Sequence, residues 1–246
     1  MTALRDTRVI ISGASSGIGL ETARRLVADG ARVCLVGRRP EPLAVAAEEL
    51  GDRAWAWPCD VADPQSVSAL AREVASRWGG VDGLVNSAGI APTAALDETT
   101  TEAWDEVFGV NVRGPFLMCR ELGPLLREGS SPAVVNVSST LAVKAIPGMA
   151  AYNAAKAALN QLTRSLALEW APAVRVNAVM PAVVDTPIHA LRGMSPEQVR
   201  EMGGLHPLGR VGAPADVAAV IAFLLSDGAS WMTGAIIPVD GGMLAG

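Results

Sequence analysis

The chain alternates short apolar runs with longer segments in which apolar residues recur at helical spacing. Runs such as Val9-Ile10-Ile11 are typical of strands that are buried on both faces of a sheet. This pattern predicts seven strands, at residues 8–12, 32–36, 53–59, 81–86, 133–138, 174–179 and 235–239. It also predicts helices over residues 17–29, 63–78, 103–127, 152–170 and 214–225, the third of them interrupted near Gly114-Pro115.

Strands that alternate with helices form βαβ units, whose right-handed crossovers produce a parallel sheet. We therefore predict an α/β fold: a single doubly wound, Rossmann-type domain over residues 1–246, with a seven-stranded parallel sheet and helices on both faces. No tandem repeat or low-complexity linker divides the chain. Hydrophobic residues make up 50% of the sequence and charged residues 18%, which excludes intrinsic disorder.

Composition also limits the partners and the compartment. No apolar run reaches the roughly 18 residues of a membrane helix, and no secretory signal precedes the first glycines, so no membrane partner is expected. The net charge is −5 and the basic residues are dispersed, so no nucleic-acid partner is expected either. Three cysteines without a CxxC pair predict reduced thiols in a cytoplasmic protein. Two histidines are too few to favour a metal site.

A glycine loop lies directly between the first predicted strand and the first predicted helix. Its sequence is Ser12-Gly13-Ala14-Ser15-Ser16-Gly17-Ile18-Gly19. Gly13 allows a tight turn, Gly17 allows a ligand to approach the backbone, and Gly19 lets the helix pack on the sheet. The helix N-terminus offers free N–H groups to a pyrophosphate. A simple turn is the alternative, but the position after the first strand favours nucleotide binding.

The end of the second strand bears on the choice of nucleotide. Dinucleotide folds usually place an acid there to bind the ribose 2′-hydroxyl. Here the strand ends in Gly37-Arg38-Arg39, and no acid occurs before Glu41. An arginine can pair with a 2′-phosphate or stack on adenine, so NADP(H) is favoured and NAD(H) is the alternative. Solvated surface arginines would explain the pattern without any ligand.

The only tyrosine of the chain, Tyr152, precedes one of its two lysines, Lys156, by four positions. Residues at this spacing share a face of a helix. A lysine cation there lowers the phenol pKa towards the working pH, and such a phenol is a general acid for a carbonyl and a general base for an alcohol. The alternative is a Tyr–Lys pair on a solvated helix face.

Two further polar residues are candidates for the same site. Ser139 follows the fifth strand, where parallel sheets bind ligands, and its hydroxyl can hold a reacting oxygen. Asn111 lies in a helical stretch where asparagine is not preferred, and a bend there would free its backbone to hold a water. A turn serine and an ordinary polar position in a bent helix are the alternatives.

Together these motifs resemble the short-chain dehydrogenases/reductases, in their compact branch similar to 3-oxoacyl-acyl-carrier-protein reductases. The resemblance covers nearly the whole chain and also rests on Asp60-Val61, Asn86-Ser87-Ala88-Gly89, Asn177 to Thr186 and Asp240-Gly241-Gly242. It implies a catalytic tetrad of Asn111, Ser139, Tyr152 and Lys156. The cofactor contacts that it implies, or that the motifs above suggest, are Gly13, Ser15, Ser16, Gly17, Ile18, Gly19, Arg38, Arg39, Asp60, Val61, Asn86, Ala88, Gly89, Tyr152, Lys156, Pro181, Val184 and Thr186.

The resemblance also implies roles for these residues. Tyr152 would exchange the proton, Ser139 would orient the substrate oxygen, Lys156 would bind the nicotinamide ribose, and Asn111 would hold a water in a relay to Lys156. Four positions depart from the family pattern: Ser12, Ser87 and Ala182 replace a threonine, an asparagine and a glycine, and Ser16 stands where many NADP-dependent members carry a basic residue.

The resulting hypothesis is an NAD(P)(H)-dependent oxidoreductase that interconverts a carbonyl and a secondary alcohol of a small molecule. A 3-oxoacyl thioester or ketone is the favoured substrate, and a small alcohol, sugar or hydroxy-ring compound oxidised with NAD is the alternative. A non-catalytic nucleotide-binding redox sensor is the alternative of another class. Residues 187–207, rich in Gly and Met, are expected to form a substrate lid, and a homotetramer is the expected assembly.

Overall fold

A computed structural model describes residues 4–246 as a seven-stranded sheet with helices packed on both sides. The strands are β1 (Arg8–Ser12), β2 (Arg32–Gly37), β3 (Ala54–Pro58), β4 (Gly83–Asn86), β5 (Ala133–Val137), β6 (Arg175–Pro181) and β7 (Ile236–Val239). Their order is β3-β2-β1-β4-β5-β6-β7, and every neighbouring pair is parallel. From β1 the chain builds the sheet outwards to β3, then returns to place β4 on the other side of β1 and continues outwards to β7. The predicted doubly wound fold is therefore confirmed.

The helices connect successive strands. They are α1 (Gly17–Ala28), α2 (Pro40–Leu50), α3 (Pro64–Trp78), α4 (Thr101–Phe108), α5 (Gly114–Arg127), α6 (Ala150–Trp170), α7 (Pro196–Glu201) and α8 (Pro214–Leu225). The predicted start of α3 is confirmed, because the Asp63 carboxylate accepts hydrogen bonds from the backbone N–H groups of Gln65 and Ser66.

Alternate residues of the strands point to opposite faces of the sheet and form two apolar cores. Val9 and Ile11 of β1 belong to one core, which is closed by α1, α2 and α8. Ile10 belongs to the other core, which is closed by α3, α5 and α6. Continuous apolar strands are therefore needed, because each strand is covered on both sides.

Helix α2 was not among the predicted helices. Its Leu43 and Ala46 are buried against the sheet, and Pro40 is its first residue. The spacing of Leu43, Ala46 and Leu50 suits one helix face, and proline is favoured at a helix start, so the signal was present in the sequence.

The predicted helix 103–127 is interrupted, but by five residues in π-helical conformation. The segment Gly109–Arg113 separates α4 from α5, and the N–H of Gly114 donates to the carbonyl of Gly109, five residues earlier. Pro115 has no N–H, so it cannot donate to the carbonyl of Asn111 as an α-helix requires. The widened turn follows from that missing donor and contains Asn111.

Within residues 4–246, no helix is long and apolar enough to cross a membrane. The three cysteines, Cys34, Cys59 and Cys119, are buried and unpaired. In the same described part of the chain, no three His, Cys, Asp or Glu side chains lie close enough to hold a metal ion.

Candidate active site

A cavity of about 640 Å³ opens at the carboxyl ends of the strands. This is the edge at which a doubly wound sheet binds its ligands. Most of the predicted site residues line it: Gly13, Ser15, Ser16, Gly17, Ile18, Arg38, Arg39, Asp60, Val61, Ala88, Gly89, Ser139, Tyr152, Lys156, Pro181, Val184 and Thr186. Three predicted residues do not line the cavity: Gly19, Asn86 and Asn111. Each is buried behind the residues that do.

The glycine loop packs tightly on the loop that follows β4. Gly13 has a φ of +69°, and a Cβ on it would lie 2.7 Å from the backbone nitrogen of Ala88. The Ser12 hydroxyl accepts hydrogen bonds from the N–H groups of Ser87 and Ala88, at 3.1 and 3.2 Å. Serine thus supplies the hydroxyl that joins the two loops at this position.

Gly19 lies inside this packing rather than on the cavity surface. A Cβ on Gly19 would lie 2.5 Å from the carbonyl oxygen of Gly13. The residue therefore lets α1 start close to β1, as the sequence analysis proposed, and its side of the helix has no surface to offer a ligand.

Asn86 was predicted as a cofactor contact, but its side chain points into the protein. It is buried, and its Nδ2 donates to Oδ1 of Asn136 at 2.8 Å. Asn136 in turn donates to the Thr163 hydroxyl at 2.9 Å. These bonds link β4, β5 and α6, so the Asn86 side chain fixes the strands beneath the cavity and does not line it.

Tyr152, Ser139 and Lys156 meet at one wall of the cavity. Lys156 lies one turn after Tyr152 on α6, and its ammonium nitrogen is 5.6 Å from the centre of the Tyr152 ring. Lys156 is buried and donates to the carbonyl of Val137 at 2.8 Å. Ser139 follows β5, so the sheet edge and α6 bring the three side chains together.

Burial alters the acidity of both ionisable groups. It raises the pKa of the Tyr152 phenol, while a hydrogen bond with Ser139 and the charge of Arg192 act to lower it. Burial lowers the pKa of Lys156 to about 8. In the protein alone, desolvation of the phenol outweighs the hydrogen bond and the Arg192 charge, so the pKa of the phenol lies above its ordinary value and not below it, as the sequence predicted.

Asn111 lies behind the cavity wall, next to Lys156. It is fully buried, and its Nδ2 donates to the carbonyls of Ile90 and Val107 at 2.9 and 3.0 Å. Its Oδ1 has no protein partner. A Cβ on Gly89 would lie 2.9 Å from that Oδ1 and 3.6 Å from the Lys156 ammonium nitrogen. The loop after β4 therefore needs a glycine at position 89, where it passes close to Asn111 and Lys156.

These features fit a dinucleotide. Gly17, where the sequence predicts that a ligand approaches the backbone, has a positive φ of +56° and is the first residue of α1, whose N-terminal N–H groups suit a phosphate. Arg38 and Arg39 line the same cavity beyond the end of β2 and are exposed. Arg39 lies 3.4 Å from the Ser15 hydroxyl. A negatively charged ligand is therefore matched by cations and free backbone donors.

Several cavity residues were not identified from the sequence. Lys144, Met149 and Met243 line the cavity, as do His189 and Arg192. From the sequence, His189 and Arg192 are predicted only as members of the lid segment 187–207. Lys144 follows the Ser139 turn by five residues, but nothing in its sequence context distinguishes it from a surface lysine.

The family of the chain is established by comparison with known proteins. A family model described as enoyl-(acyl carrier protein) reductase matches residues 13–244. The chain belongs to the short-chain dehydrogenase/reductase family. The match begins at the first glycine of the glycine loop, so it includes the whole cavity described above.

Named relatives in this family span nearly the full chain. A 3beta-hydroxysteroid dehydrogenase of Eggerthella lenta is 40% identical over 98% of this chain and 94% of its own. A cis-4-hydroxycyclohexanecarboxylate dehydrogenase of Sinomonas cyclohexanicum is 40% identical over 99% and 98%. A solved structure of 3-ketoacyl-(acyl-carrier-protein) reductase from Brucella melitensis, complexed with NADH, has a TM-score of 0.91 and 36% identity, covering 98% of this chain and 99% of its own.

Membership of the short-chain dehydrogenases/reductases fixes the general activity. The chain is an NAD(P)-dependent oxidoreductase that acts on CH–OH groups and interconverts alcohols with carbonyl compounds. This activity is favoured over the alternative of another class, a redox sensor without turnover, because the named relatives are dehydrogenases and reductases.

Proposed function

We propose that Tyr152 is the general acid and base of a carbonyl–alcohol interconversion, assisted by Ser139, Lys156 and Asn111. The observation that carries the proposal is the meeting of Tyr152, Ser139 and Lys156 in the cavity that the glycine loop closes. In reduction, the phenol O–H donates its proton to the oxygen of the substrate carbonyl. In oxidation, the phenolate accepts the proton of the alcohol.

Ser139 and Lys156 prepare the phenol for this exchange. The Ser139 hydroxyl donates to the substrate oxygen and holds it beside the phenol. Lys156 carries its charge below a pH of about 8 and stabilises the phenolate that remains after proton donation. The orphaned Oδ1 of Asn111 supports a water that connects Lys156 to solvent.

The glycine loop, Arg38 and Arg39 hold a nicotinamide cofactor, with Asp60 and Val61 at its adenine and Pro181, Val184 and Thr186 at its nicotinamide. When bound, that cofactor supplies or accepts the hydride at the carbonyl carbon. The protein orients the substrate, excludes water and moves the proton.

NADP(H) is the proposed cofactor, with NAD(H) as the alternative. Gly37 lines the cavity at the end of β2 and carries no carboxylate that would repel a 2′-phosphate. Arg38 follows it, is exposed, and has no ion pair within the described residues, so its guanidinium is free to pair with that phosphate.

A ketone or 3-oxoacyl thioester is the proposed substrate class in the reducing direction. The structural similarity to a 3-ketoacyl-(acyl-carrier-protein) reductase supports the thioester. The similarity to dehydrogenases of a hydroxysteroid and of a hydroxycyclohexanecarboxylate supports the second candidate, oxidation of a hydroxy-ring compound.

Three further properties belong to the proposal. Residues 187–207 act as a substrate lid, which α7 and its capping residue Ser195 stiffen in the middle. The assembly is a homotetramer, supported by the large exposed apolar side chains on α5, α6 and α8. The location is cytoplasmic, supported by the three buried, unpaired thiols.

A turnover screen tests the activity. Purified protein is mixed with NADPH or NADH and a panel of ketones and acetoacetyl thioesters, and separately with either oxidised cofactor and alicyclic alcohols. We expect a change of nicotinamide absorbance with at least one carbonyl–alcohol pair. Its absence with all of them, in protein that binds the cofactor, would contradict the proposed function.

A further inference from the structure

The cavity is positively charged in a protein that is negatively charged overall. Its lining contains five cationic side chains and one carboxylate, Asp60, whereas the whole chain has a net charge of −5. Arg38 and Arg39 lie at the cofactor end, and buried Lys156 lies beside Tyr152. Lys144 and Arg192 have no task in the mechanism proposed above.

Both unassigned cations lie near the reacting groups. Lys144 follows the turn that begins at Ser139, and its backbone N–H donates to the carbonyl of Thr140. Burial raises the pKa of the Tyr152 phenol, and the Arg192 charge is close enough to act against this effect. Both residues line the cavity, so we place them at its substrate end.

Neither cation is neutralised by the protein. Within residues 4–246, neither Lys144 nor Arg192 forms an ion pair. Nε of Arg192 donates to the Thr93 hydroxyl at 3.1 Å, which fixes the guanidinium and leaves its two terminal nitrogens for another acceptor. A guanidinium held in this way is suited to bind a planar oxyanion with two hydrogen bonds.

The remaining wall at this end of the cavity is apolar. It is formed by Ala91, Leu141, Ile146, Met149, Ile188, Met202, Leu205 and Met243. His189 also lines this end of the cavity, and its Nε2 lies 3.0 Å from the carbonyl oxygen of Val184. Burial lowers the pKa of His189, so the ring adds no charge at neutral pH.

We propose that the substrate is an anion, in which an apolar body carries the reacting carbonyl or alcohol and a carboxylate or phosphate pairs with Arg192 and Lys144. This inference rests on the proposed function and specifies its substrate. Uncharged sugars and simple alcohols would leave both cations without a partner.

The anionic group has two chemical sources. One is a carboxylate on a small hydroxy or oxo acid. The other is the phosphate of a coenzyme A or carrier-bound 3-oxoacyl thioester. Both sources present oxyanions to the same pair of cations, so matched substrate pairs are needed to separate them.

Equilibrium binding tests the site without turnover. Cyclohexanecarboxylate and its uncharged amide are titrated calorimetrically into protein saturated with oxidised cofactor. We expect the acid to bind about tenfold more tightly than the amide, as for a charge-assisted hydrogen bond. Arg192→Gln and Lys144→Met should each reduce this preference, whereas Arg72→Gln should preserve it, because exposed Arg72 pairs with Ser68 on α3 outside the cavity.

Kinetic pairs identify the source. One pair is 4-oxocyclohexanecarboxylate and its amide. The other pair is acetoacetyl-CoA and the thioester of acetoacetate with N-acetylcysteamine, which lacks phosphate. For the correct source, the ratio of kcat/KM for the charged member to that for the neutral member should fall about tenfold in Arg192→Gln. Using the ratio cancels any effect of Arg192 on the Tyr152 phenol, because both members need the same proton.

The outcomes separate this inference from the function on which it rests. Equal kcat/KM values for the charged and neutral members of both pairs, with normal turnover, would contradict the proposal of an anionic substrate. The proposed oxidoreductase activity would then still stand. Equal binding of the acid and the amide, or binding of neither, would also overturn the anionic substrate. Binding that depends on Arg192 in a protein that reduces no carbonyl would instead remove the proposed function and leave the anion site.

Discussion

The phenol of Tyr152 is the side chain on which the chemistry depends. Its half-buried position removes water that would otherwise stabilise the phenolate, so the protein alone holds the phenol protonated. Protonated phenol is ready for reduction, whereas oxidation of an alcohol needs the phenolate. Reduction should therefore be favoured at low pH, and the rate of oxidation should rise with pH.

The titration of this phenol can be measured directly, because Tyr152 is the only tyrosine. In the protein alone, we expect its pKa to lie above the ordinary value of about 10. The nicotinamide ring of the oxidised cofactor is positively charged, so adding this cofactor should lower the pKa of the phenol. The measurement is the ultraviolet difference spectrum of phenolate against pH. A pKa that is unchanged by the cofactor would argue against Tyr152 as the base.

The end of β2 is the second place where single residues decide an outcome. We expect NADPH to bind more tightly than NADH by roughly ten- to a hundredfold, the value of a charged hydrogen bond of about 1.5–3 kcal/mol. Gly37→Asp should reverse the order. The structure has room for this change, since a Cβ on Gly37 would lie 3.6 Å from the Leu43 side chain.

Fluorescence titration of both cofactors measures this preference, and Arg38→Ala is the companion variant. It should weaken the binding of NADPH and leave that of NADH nearly unchanged. A wild-type preference for NADH would mean that Arg38 has no phosphate to bind, and the NADP assignment would then be wrong while the hydride chemistry remained.

At the scale of elements, the π-helical segment and the loop after β4 hold Asn111 between them. Gly89→Ala would place a methyl group 2.9 Å from Oδ1 of Asn111, so the amide must move. We expect a loss of turnover of up to about a hundredfold, the effect of a misplacement of about 1 Å. The thermal midpoint should also fall, because a moved amide weakens its hydrogen bonds to the carbonyls of Ile90 and Val107. A variant with the turnover and thermal midpoint of the wild type would contradict this packing.

The sequence predicted the strands well and the helices less completely. Each strand is covered on both faces, so its apolar run is continuous and easily recognised. Helix α2 was missed because only Leu43 and Ala46 are buried on a short amphipathic face. The π-helical turn at Asn111 was foreseen as an interruption near Pro115, but the missing proline donor does not by itself specify its width.

Within the site, residues with a local motif were located and residues without one were not. Tyr152 and Lys156 share a helix face, so their spacing predicted their meeting. Lys144 and Arg192 are 48 residues apart in sequence, and only the folding of the chain brings both to the same cavity. Asn86 shows the opposite case, because it belongs to a motif beside the cavity while its side chain points towards Asn136.

At the scale of the whole molecule, several helices carry large exposed apolar side chains. Among them are Phe116 on α5, Leu168 on α6 and Phe223 on α8, and Trp231, which follows α8, is 99% exposed. A tetramer with three perpendicular two-fold axes needs at least two different contacts, and we assign one to α5 and α6 and the other to α8 and the segment after it.

We therefore expect light scattering to give four chain masses at micromolar concentration. Leu168→Glu should reduce the assembly to a dimer, because it places a charge in one of the two contacts. Val45→Glu is the matched control, since Val45 is 66% exposed on α2, a helix outside both proposed contacts, and should leave the mass unchanged. A monomeric wild-type protein would contradict the proposed assembly.

The central claim is that the proton is exchanged by the Tyr152 phenol, and one comparison tests it most directly. Tyr152→Phe removes a single oxygen and keeps the ring in place on α6. Cofactor affinity and turnover of the best carbonyl substrate are measured side by side for this variant and the wild type. We predict unchanged cofactor affinity with turnover reduced at least about a hundredfold, the scale of one acid–base group. Turnover within a factor of about two of the wild type would contradict the account, because the proton would then come from another group.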